Sequence, residues 1–229
     1  MKILVFADLH GSLNALDALI NTTDFKVADK IIFLGDVIFG CSRPNECINV
    51  LKRINCTCVL GNNDAYICDH IPEVDLLEFS KVKLQQLEWM KNAVNQENKE
   101  FLNTWQKYFS LEVNNKKFLF AHYAWEKYNG DFNVVDNPTE LTFEARKEMF
   151  KEIDADYYIF GHEHETTYFT DGNKHYYCLT SIGLKSPGEY LLIDFNDTHV
   201  KLIQKFVKFD IDEEILLMNK AGYPYNKLR

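Results

Sequence analysis

The sequence lacks several features that mark common classes of protein. Its six cysteines include no Cys-x-x-Cys pair, which argues against a structural zinc ribbon. Cys56 and Cys58 are separated by a single residue and would face opposite sides of a strand, so the cysteines do not suggest a secreted disulfide framework. We therefore expect reduced, mostly buried thiols.

Long apolar runs and clusters of basic residues are also missing. No apolar run approaches membrane-spanning length, and the first run, 2–7, is too short for a signal peptide and leads directly to Asp8. The chain has a formal net charge of −9, few arginines and no basic stripe. We expect a cytoplasmic protein that contacts no membrane and does not favour nucleic acid, because an acidic chain gains no long-range attraction to a polyanion.

The apolar patterning of the N-terminal part predicts alternating strands and helices. Strands are expected at 2–7, 31–34 and 56–60, and helices with apolar residues at helical spacing at 12–22 and 44–54. This β-α-β-α-β order implies parallel strands joined by right-handed crossovers.

The rest of the chain changes character twice. Residues 65–110 are rich in Glu, Gln, Lys and Leu and predict helices at 76–94 and 98–108. Further strands are expected at 117–121, 157–160, 166–170, 175–179, 190–195 and 199–206, and helices at 139–150 and 212–220. We predict a single α/β domain over 1–229, in which 65–110 is a helical insertion that caps the site.

Five apolar runs each end in residues that can bind a metal ion. In chain order these residues are Asp8 with His10, Asp36, Asn62, His122, and His162 with His164. The carboxyl ends of neighbouring strands meet at one edge of a sheet, so the side chains should converge. Each motif alone is also typical of a simple turn, and a lone histidine is more often a hydrogen-bonded core residue. Four of the seven histidines lie at these strand ends, and this conjunction favours a metal site.

The motifs and their order resemble those of the calcineurin-like metallophosphoesterases, from residue 1 to about residue 185. The motifs are Asp8-x-His10-Gly11, Gly35-Asp36, Gly61-Asn62, His122 and Gly161-His162-x-His164. The sequence is most similar to small, stand-alone bacterial phosphodiesterase-like members. It departs from the large protein phosphatases, whose second motif continues as Asp-Arg-Gly, because Asp36 is followed here by Val-Ile-Phe-Gly.

The resemblance implies a four-layer α/β/β/α sandwich that holds two metal ions. Asp36 would bridge the ions, with Asp8, His10 and His164 completing one site and Asn62, His122 and His162 the other. Asp36, Asn62 and His122 are the candidate catalytic residues. Mixed carboxylate, imidazole and amide ligands suit Mn above all, with Fe or Zn as alternatives, better than Mg. Water between two such ions becomes a hydroxide that attacks phosphorus.

One departure from the family pattern concerns the proton donor. Asn63 stands where the family usually has a histidine that protonates the leaving group, and an amide cannot serve as an acid. We therefore expect a preference for leaving groups that depart as stable anions, such as aryl esters, nucleotides or phosphoanhydrides. His70 is close in sequence but is more typical of an ordinary loop residue than of a replacement acid.

Other residues near the motifs are candidates for substrate contact. Tyr123 replaces the glycine that is usual after this histidine, and Tyr123 with Trp125 could stack on a base or pack against the insertion. Arg43 could clamp a second phosphate. We expect Glu163, between two predicted ligands, to be a solvated spacer.

These features favour a binuclear phosphodiesterase or phosphatase that acts on a small-molecule phosphoester, with nucleotides among the candidate substrates. A nuclease or a protein phosphatase of the same fold is the alternative enzyme, although the missing basic stripe and the missing Asp-Arg-Gly argue against them. A metal-binding scaffold without catalysis is the alternative outside the enzymes. The sequence makes no prediction of the oligomeric state.

Overall fold

Two five-stranded sheets form the centre of the structure, a computed structural model. It describes residues 1–68, 77, 79–123, 125–128, 131–134, 142–196 and 199–224, with the backbone alone described for 125–128 and 131–134. His70, residues 76 and 78 of the predicted helix at 76–94, and residues 139–141 of the predicted helix at 139–150 lie outside this description.

The first sheet contains the parallel strands predicted from the N-terminal pattern. Its strands are β1 (Lys2–Phe6), β2 (Lys30–Phe33), β3 (Thr57–Cys58), β11 (Gly188–Phe195) and β12 (Val200–Val207). They lie in the order β12-β11-β1-β2-β3. β1, β2 and β3 are parallel, as predicted, and β11 pairs antiparallel with both β1 and β12.

The second sheet has parallel strands at its centre and antiparallel strands at its edges. Its strands are β4 (Tyr108–Val113), β5 (Lys116–Ala121), β8 (Tyr157–Phe160), β9 (Thr167–Asp171) and β10 (Lys174–Cys178). The order is β4-β5-β8-β10-β9, and β8 runs parallel to β5 and β10. A separate hairpin consists of β6 (Trp125–Tyr128) and β7 (Asp131–Val134).

The described helices connect the strands and carry recognisable caps. They are α1 (Leu13–Ile20), α2 (Thr23–Val27), α3 (Pro44–Arg53), α4 (Asn62–Ile67), α5 (Lys81–Ala93), α6 (Gln96–Leu102), α7 (Phe143–Met149) and α8 (Ile211–Lys220). Ser12 and Ser80 accept hydrogen bonds from the first turns of α1 and α5, which satisfies backbone donors that a helix leaves free. None of the described helices is both long and apolar enough to cross a membrane.

The two faces of each sheet pack into different hydrophobic clusters of the core. Successive residues of β1 alternate between two clusters: Leu4 and Phe6 face helices, whereas Ile3 and Val5 face the second sheet. The outer face of the second sheet packs against Phe150, which follows α7. Helices therefore cover both outer faces, and the predicted four-layer α/β/β/α arrangement is confirmed.

Differences from the predicted elements are local. β4 begins at Tyr108, where the last residue of a helix was expected, because its side chains alternate in exposure as on a half-covered strand. Asn114 and Asn115 both have positive φ and join β4 to β5 in a tight turn. Helices α5 and α6 lie within the predicted insertion at 65–110. That residues 1–229 form a single domain, with 65–110 as an insertion in it, stays a prediction.

The cysteines are free thiols, as expected. Four are buried, at Cys41, Cys47, Cys58 and Cys178, and Cys56 and Cys68 are partly buried. Burial raises the pKa of Cys178 well above its ordinary value, so this thiol stays protonated.

Candidate metal centre

All seven predicted ligands meet at one edge of the two sheets, where several strands end. Asp8 and His10 follow β1, Asp36 follows β2, Asn62 begins α4 after β3, His122 follows β5, and His162 and His164 follow β8. The loops after β1 and β2 continue the pairing of their strands, since the amide of His10 donates to the carbonyl of Asp36 at 2.9 Å. Strand register thus places these two loops beside one another.

Asp8, His10 and His164 form what we call the outer set. The Nε2 atoms of His10 and His164 are 2.9 Å apart, and Nε2 of His164 lies 3.2 Å from Oδ1 of Asp8. The His164 side chain keeps 39% of its surface exposed, whereas the Asp8 side chain is fully buried. Three ligand atoms within 4.8 Å of one another are close enough to share a cation.

Asn62, His122 and His162 form the inner set. Oδ1 of Asn62 lies 3.0 Å from Nε2 of His122 and 3.0 Å from Nδ1 of His162. The two imidazole nitrogens are 3.2 Å apart. Asn62 and His122 are both buried, so this set is closed off by protein on most sides.

Asp36 lies between the two sets. Its Oδ2 is 3.5 Å from Nε2 of His122, and Asp8, Asp36 and His122 form a second group whose ligand atoms all lie within 4.8 Å of one another. This group combines Asp36 with one residue from each set, and the division of the ligands between two ions stays a prediction.

Two imidazoles are oriented by backbone carbonyls. Nδ1 of His10 lies 3.1 Å from the carbonyl of Ile38, and Nδ1 of His122 lies 2.9 Å from the carbonyl of Leu34. A carbonyl only accepts, so both Nδ1 atoms carry the hydrogen and both Nε2 atoms present a lone pair. The lone pair of His122 then faces an amide oxygen of Asn62, a contact that a bound cation would satisfy. The residues present therefore fit a metal ion.

The electrostatics also suit cation binding. Burial, reinforced by the charge of His164, lowers the pKa of His10 to about 4, so its imidazole is neutral at physiological pH. Burial alone would raise the pKa of Asp8, but the charge and hydrogen bond of His164 outweigh burial and lower it. Neutral imidazole and ionised carboxylate are the forms that bind metal ions.

The backbone of the centre is strained at the ligands themselves. Asp8, His10, Asp36, His162 and His164 all have positive φ, between 54° and 73°. For a residue other than glycine this conformation costs on the order of 1 kcal/mol. Such strain is concentrated at functional sites, and no sequence pattern predicted it here.

Two glycines are required by close approach. A Cβ on Gly61 would lie 2.2 Å from Oδ1 of Asp36, and a Cβ on Gly161 would lie 2.6 Å from Oδ2 of Asp8. Gly61 has an ordinary φ of −88°, so it serves to make room for the carboxylate rather than to turn the chain sharply.

Asp64 is a functional residue that sequence reasoning left without a role. Its carboxylate accepts hydrogen bonds from the amides of Asp36, Val37 and Gly61 at 2.8, 2.9 and 3.1 Å. It thereby joins the loops that carry Asp36 and Asn62. Burial and the charge of Asp36 raise the pKa of Asp64 to about 7. An acid at the third position of a helix is a recognisable capping signal that could have identified it.

The expectation for Glu163 is wrong. Its side chain is only 1% exposed and accepts from Nε and Nη2 of Arg146, on α7, at 2.9 and 2.6 Å. A bidentate pair in a buried position is held in one geometry. Glu163 thus anchors the segment that carries both His162 and His164.

The candidates for substrate contact have partners within the protein. Tyr123 is fully buried, and its ring lies 4.3 Å from that of His162. It belongs to the cluster on the outer face of the second sheet, with Phe150, rather than to contacts with α5 or α6. Nη2 of Arg43 donates to Oε1 of Glu214 at 2.6 Å. The amide of Asn63 donates to Asp36. Substrate contact by any of these residues stays a prediction.

Two other residues singled out in the sequence cannot be assessed. His70 lies outside the described residues, and the side chain of Trp125 is not described.

Fold and site together place the chain among the metal-dependent phosphoesterases, and its sequence identifies the family. The sequence profile of the calcineurin-like phosphoesterase superfamily domain matches residues 1–208. The chain belongs to that superfamily. Helix α8 lies beyond the matched region.

Known relatives cover nearly the whole chain. An uncharacterized protein of Methanocaldococcus jannaschii, MJ0912, is 27% identical over 222 residues, which are 91% of this chain and 88% of the relative. The crystal structure of the hypothetical protein PH1004 from Pyrococcus horikoshii has a TM-score of 0.78 at 19% identity and covers 97% of this chain and 94% of its own. A metallophosphoesterase from Sphaerobacter thermophilus has a TM-score of 0.73 at 18% identity, with 98% and 95% covered. At these identities the structural likenesses establish the fold alone.

Proposed function

We propose that the protein is a binuclear metal-dependent hydrolase of small-molecule phosphoesters, including nucleotides. Asp8, His10, Asp36 and His164 would hold one divalent ion. Asp36, Asn62, His122 and His162 would hold the other. Mn is the preferred metal, with Fe or Zn as alternatives, because the donors mix carboxylate, imidazole and amide oxygen.

The observation that carries the proposal is the convergence of acceptor atoms. Nε2 of His122 and Oδ1 of Asn62 face each other at 3.0 Å, and the carbonyl of Leu34 fixes the tautomer that makes both of them acceptors. Nδ1 of His162 lies 3.0 Å from Oδ1 of Asn62 and 3.2 Å from Nε2 of His122, so without a cation two acceptors would have to share one ring hydrogen. The strained backbone supports the same interpretation, since such strain persists only where surrounding structure enforces it.

A local positive charge would let this acidic protein bind phosphate. Two divalent ions against Asp8 and Asp36 leave a charge of about +2 at the centre before any anion binds. The formal net charge of −9 is spread over the chain. Charges beyond roughly 8–10 Å are screened at physiological salt, so the local charge dominates at contact distance.

The protein's own residues would position the reaction. Bound ions supply an activated water and stabilise the charge that grows on the phosphoryl oxygens. The hydroxyl of Ser181 donates to the carbonyl of Asp8 at 2.6 Å, and that of Thr180 donates to the carbonyl of His164 at 2.5 Å. These hydroxyls tie the two loops of the outer set together. Asp36, Asn62 and His122 would hold ions beside the phosphoryl group.

Asn63 bears on the choice of substrate. An amide at this position cannot protonate a leaving group, which favours esters and anhydrides whose leaving groups are stable anions. Asn63→His should raise turnover of alkyl phosphates relative to aryl phosphates. An unchanged ratio of the two turnover rates would show that Asn63 does not limit the leaving group.

The test of the proposal combines metal analysis with chromogenic esters. Purified protein should bind two ions per chain by mass spectrometry of metals and should hydrolyse p-nitrophenyl esters with Mn. Asp36→Asn should abolish turnover and weaken both sites, whereas Asp17→Asn, the same change on the exposed face of α1, should alter neither. Metal binding without turnover would favour the scaffold. Failure to bind any ion at millimolar supply would refute the proposal.

A further inference from the structure

Lys83, on α5, approaches the centre from a part of the chain without any family motif. Its amide donates to the cap residue Ser80 at 3.1 Å, which fixes its backbone in the first turn of the helix. Its Nζ donates to Oδ1 of Asn63 at 2.5 Å, and the Nδ2 of Asn63 donates to Asp36. One amide group therefore separates the ammonium of Lys83 from the carboxylate at the middle of the centre.

Aromatic rings surround the ammonium group. The Nζ of Lys83 lies 4.5 Å from the ring centre of Phe39, 5.5 Å from that of Tyr66 and 5.6 Å from that of Phe79. Each ring attracts the cation through its negative face. Phe39 belongs to the loop after β2 and has positive φ, so this ring is held by the same strained loop that carries Asp36. The position of the charge is thus set in advance rather than left to a mobile side chain.

The ammonium of Lys83 faces the centre, because the Asn63 side chain that it contacts also contacts Asp36. It lies beside Asn63, at the position where the resemblance leads one to expect an imidazole.

We propose that Lys83 is a substrate-binding residue that contacts the phosphoryl group held at the two-metal centre, and that it selects dianionic phosphates. This inference rests on the proposed function. An ammonium has three hydrogens to donate, so one such group can contact both Asn63 and a phosphate oxygen. A fixed positive charge stabilises a dianion more than a monoanion. The favoured substrates are phosphomonoesters and terminal phosphates of nucleotides, in preference to diesters.

The alternative is a structural role, in which Lys83 only holds α5 against the loop of Asn63. Lys83→Met distinguishes the substrate-binding role from the structural role, because it keeps the aliphatic stem among the rings and removes the charge. Lys81→Met is the matched control, since Lys81 is an exposed residue in the same turn of the same helix. Lys83→Gln serves if the methionine variant fails to fold.

The experiment measures Mn-loaded proteins in two ways. The first is kcat/KM for p-nitrophenyl phosphate, a dianion, and for bis(p-nitrophenyl) phosphate, a monoanion. The second is the Kd of inorganic phosphate by calorimetry. Lys83→Met should lower kcat/KM for the monoester by about 10- to 100-fold, the usual effect of losing a hydrogen bond to a charged group. It should weaken phosphate binding by about 10-fold or more and change the diester by less than about threefold. Lys81→Met should match the wild type.

Two results would overturn the role of Lys83. One is an unchanged phosphate Kd in Lys83→Met, whatever happens to turnover. The other is wild-type protein that binds Mn but not phosphate. Wild-type protein that binds Mn and phosphate yet hydrolyses neither ester would overturn the proposed function instead. The calorimetry would in that case still decide whether Lys83 contacts phosphate.

Discussion

The outer and inner sets are built from similar donors but are supported differently. His122 of the inner set is fully buried, and its ring is fixed by a carbonyl from the end of β2. His164 of the outer set keeps 39% of its side chain exposed and is held through its own backbone carbonyl by Thr180. The inner set is therefore part of the core, whereas the outer set can lose a side chain without opening a cavity. An ion bound by the outer set should exchange with solvent more readily than an ion bound by the inner set.

The largest expected effect comes from a change that perturbs both sets together. Glu163 lies between His162 and His164, and Arg146→Met would leave its buried carboxylate without that partner. Breaking a buried pair in this way costs about 3 to 5 kcal/mol of unfolding free energy. We expect that loss in urea denaturation, together with weaker binding of both ions. The double variant Arg146→Met with Glu163→Leu should recover most of the stability, and a single variant as stable as wild type would contradict the role of the pair.

Removing the buried histidine should affect folding and metal binding together. His122→Ala deletes a fully buried ring and leaves the carbonyl of Leu34 without its donor. We expect a loss of about 2 to 4 kcal/mol in unfolding free energy. Metal analysis should show that the inner ion is lost. A stable variant that retains two ions would show that His122 is not a ligand.

Removing the exposed histidine should affect metal binding more than folding. His164→Ala removes a partner of the buried Asp8 carboxylate, so unfolding free energy should fall by about 1 kcal/mol, less than for His122→Ala. Dialysis followed by metal analysis should show one retained ion and one lost. His199→Ala, at an exposed histidine outside the centre, is the control and should keep both ions. If His164→Ala lost both ions at the same rate, the two sets would not be independent.

The smallest expected effect concerns Tyr123. Its hydroxyl is buried and has no hydrogen-bond partner in the described part of the chain, while its ring lies against His162. Tyr123→Phe keeps the ring and removes an unsatisfied group, so unfolding free energy should stay within about 0.5 kcal/mol of wild type or rise. Equal kinetics on aryl and alkyl esters before and after the change would fit a packing role. A marked loss for aryl esters alone would point to contact with substrate.

Much of the centre could be predicted because each candidate ligand directly follows an apolar strand. His122 comes immediately after β5, and Asp8 comes two residues after β1, so sequence position alone indicates the same edge of the sheets. The parallel strands could be predicted from the alternation of apolar runs and helical stretches, whereas the four-layer order came from the family resemblance.

The supports of the centre could not be predicted, because they are contacts between distant segments. Glu163 meets Arg146 from another layer, and Arg43 meets Glu214 on a helix 171 residues further along the chain. A charged residue carries no sign in the sequence of whether a partner will reach it. The burial of Tyr123 could not be predicted either, since the side chain of a residue just beyond a strand end can point to either face of the sheet.

The positive φ angles of the candidate ligands have a consequence for the resting protein. Five left-handed residues in three loops bias these loops toward relaxation whenever the binding free energy of the ions is withdrawn. Chelation should therefore speed amide hydrogen exchange first in the loops after β1, β2 and β8, while the strands remain protected. Metal supply would then set the lifetime of the protein against proteases as well as its catalytic state.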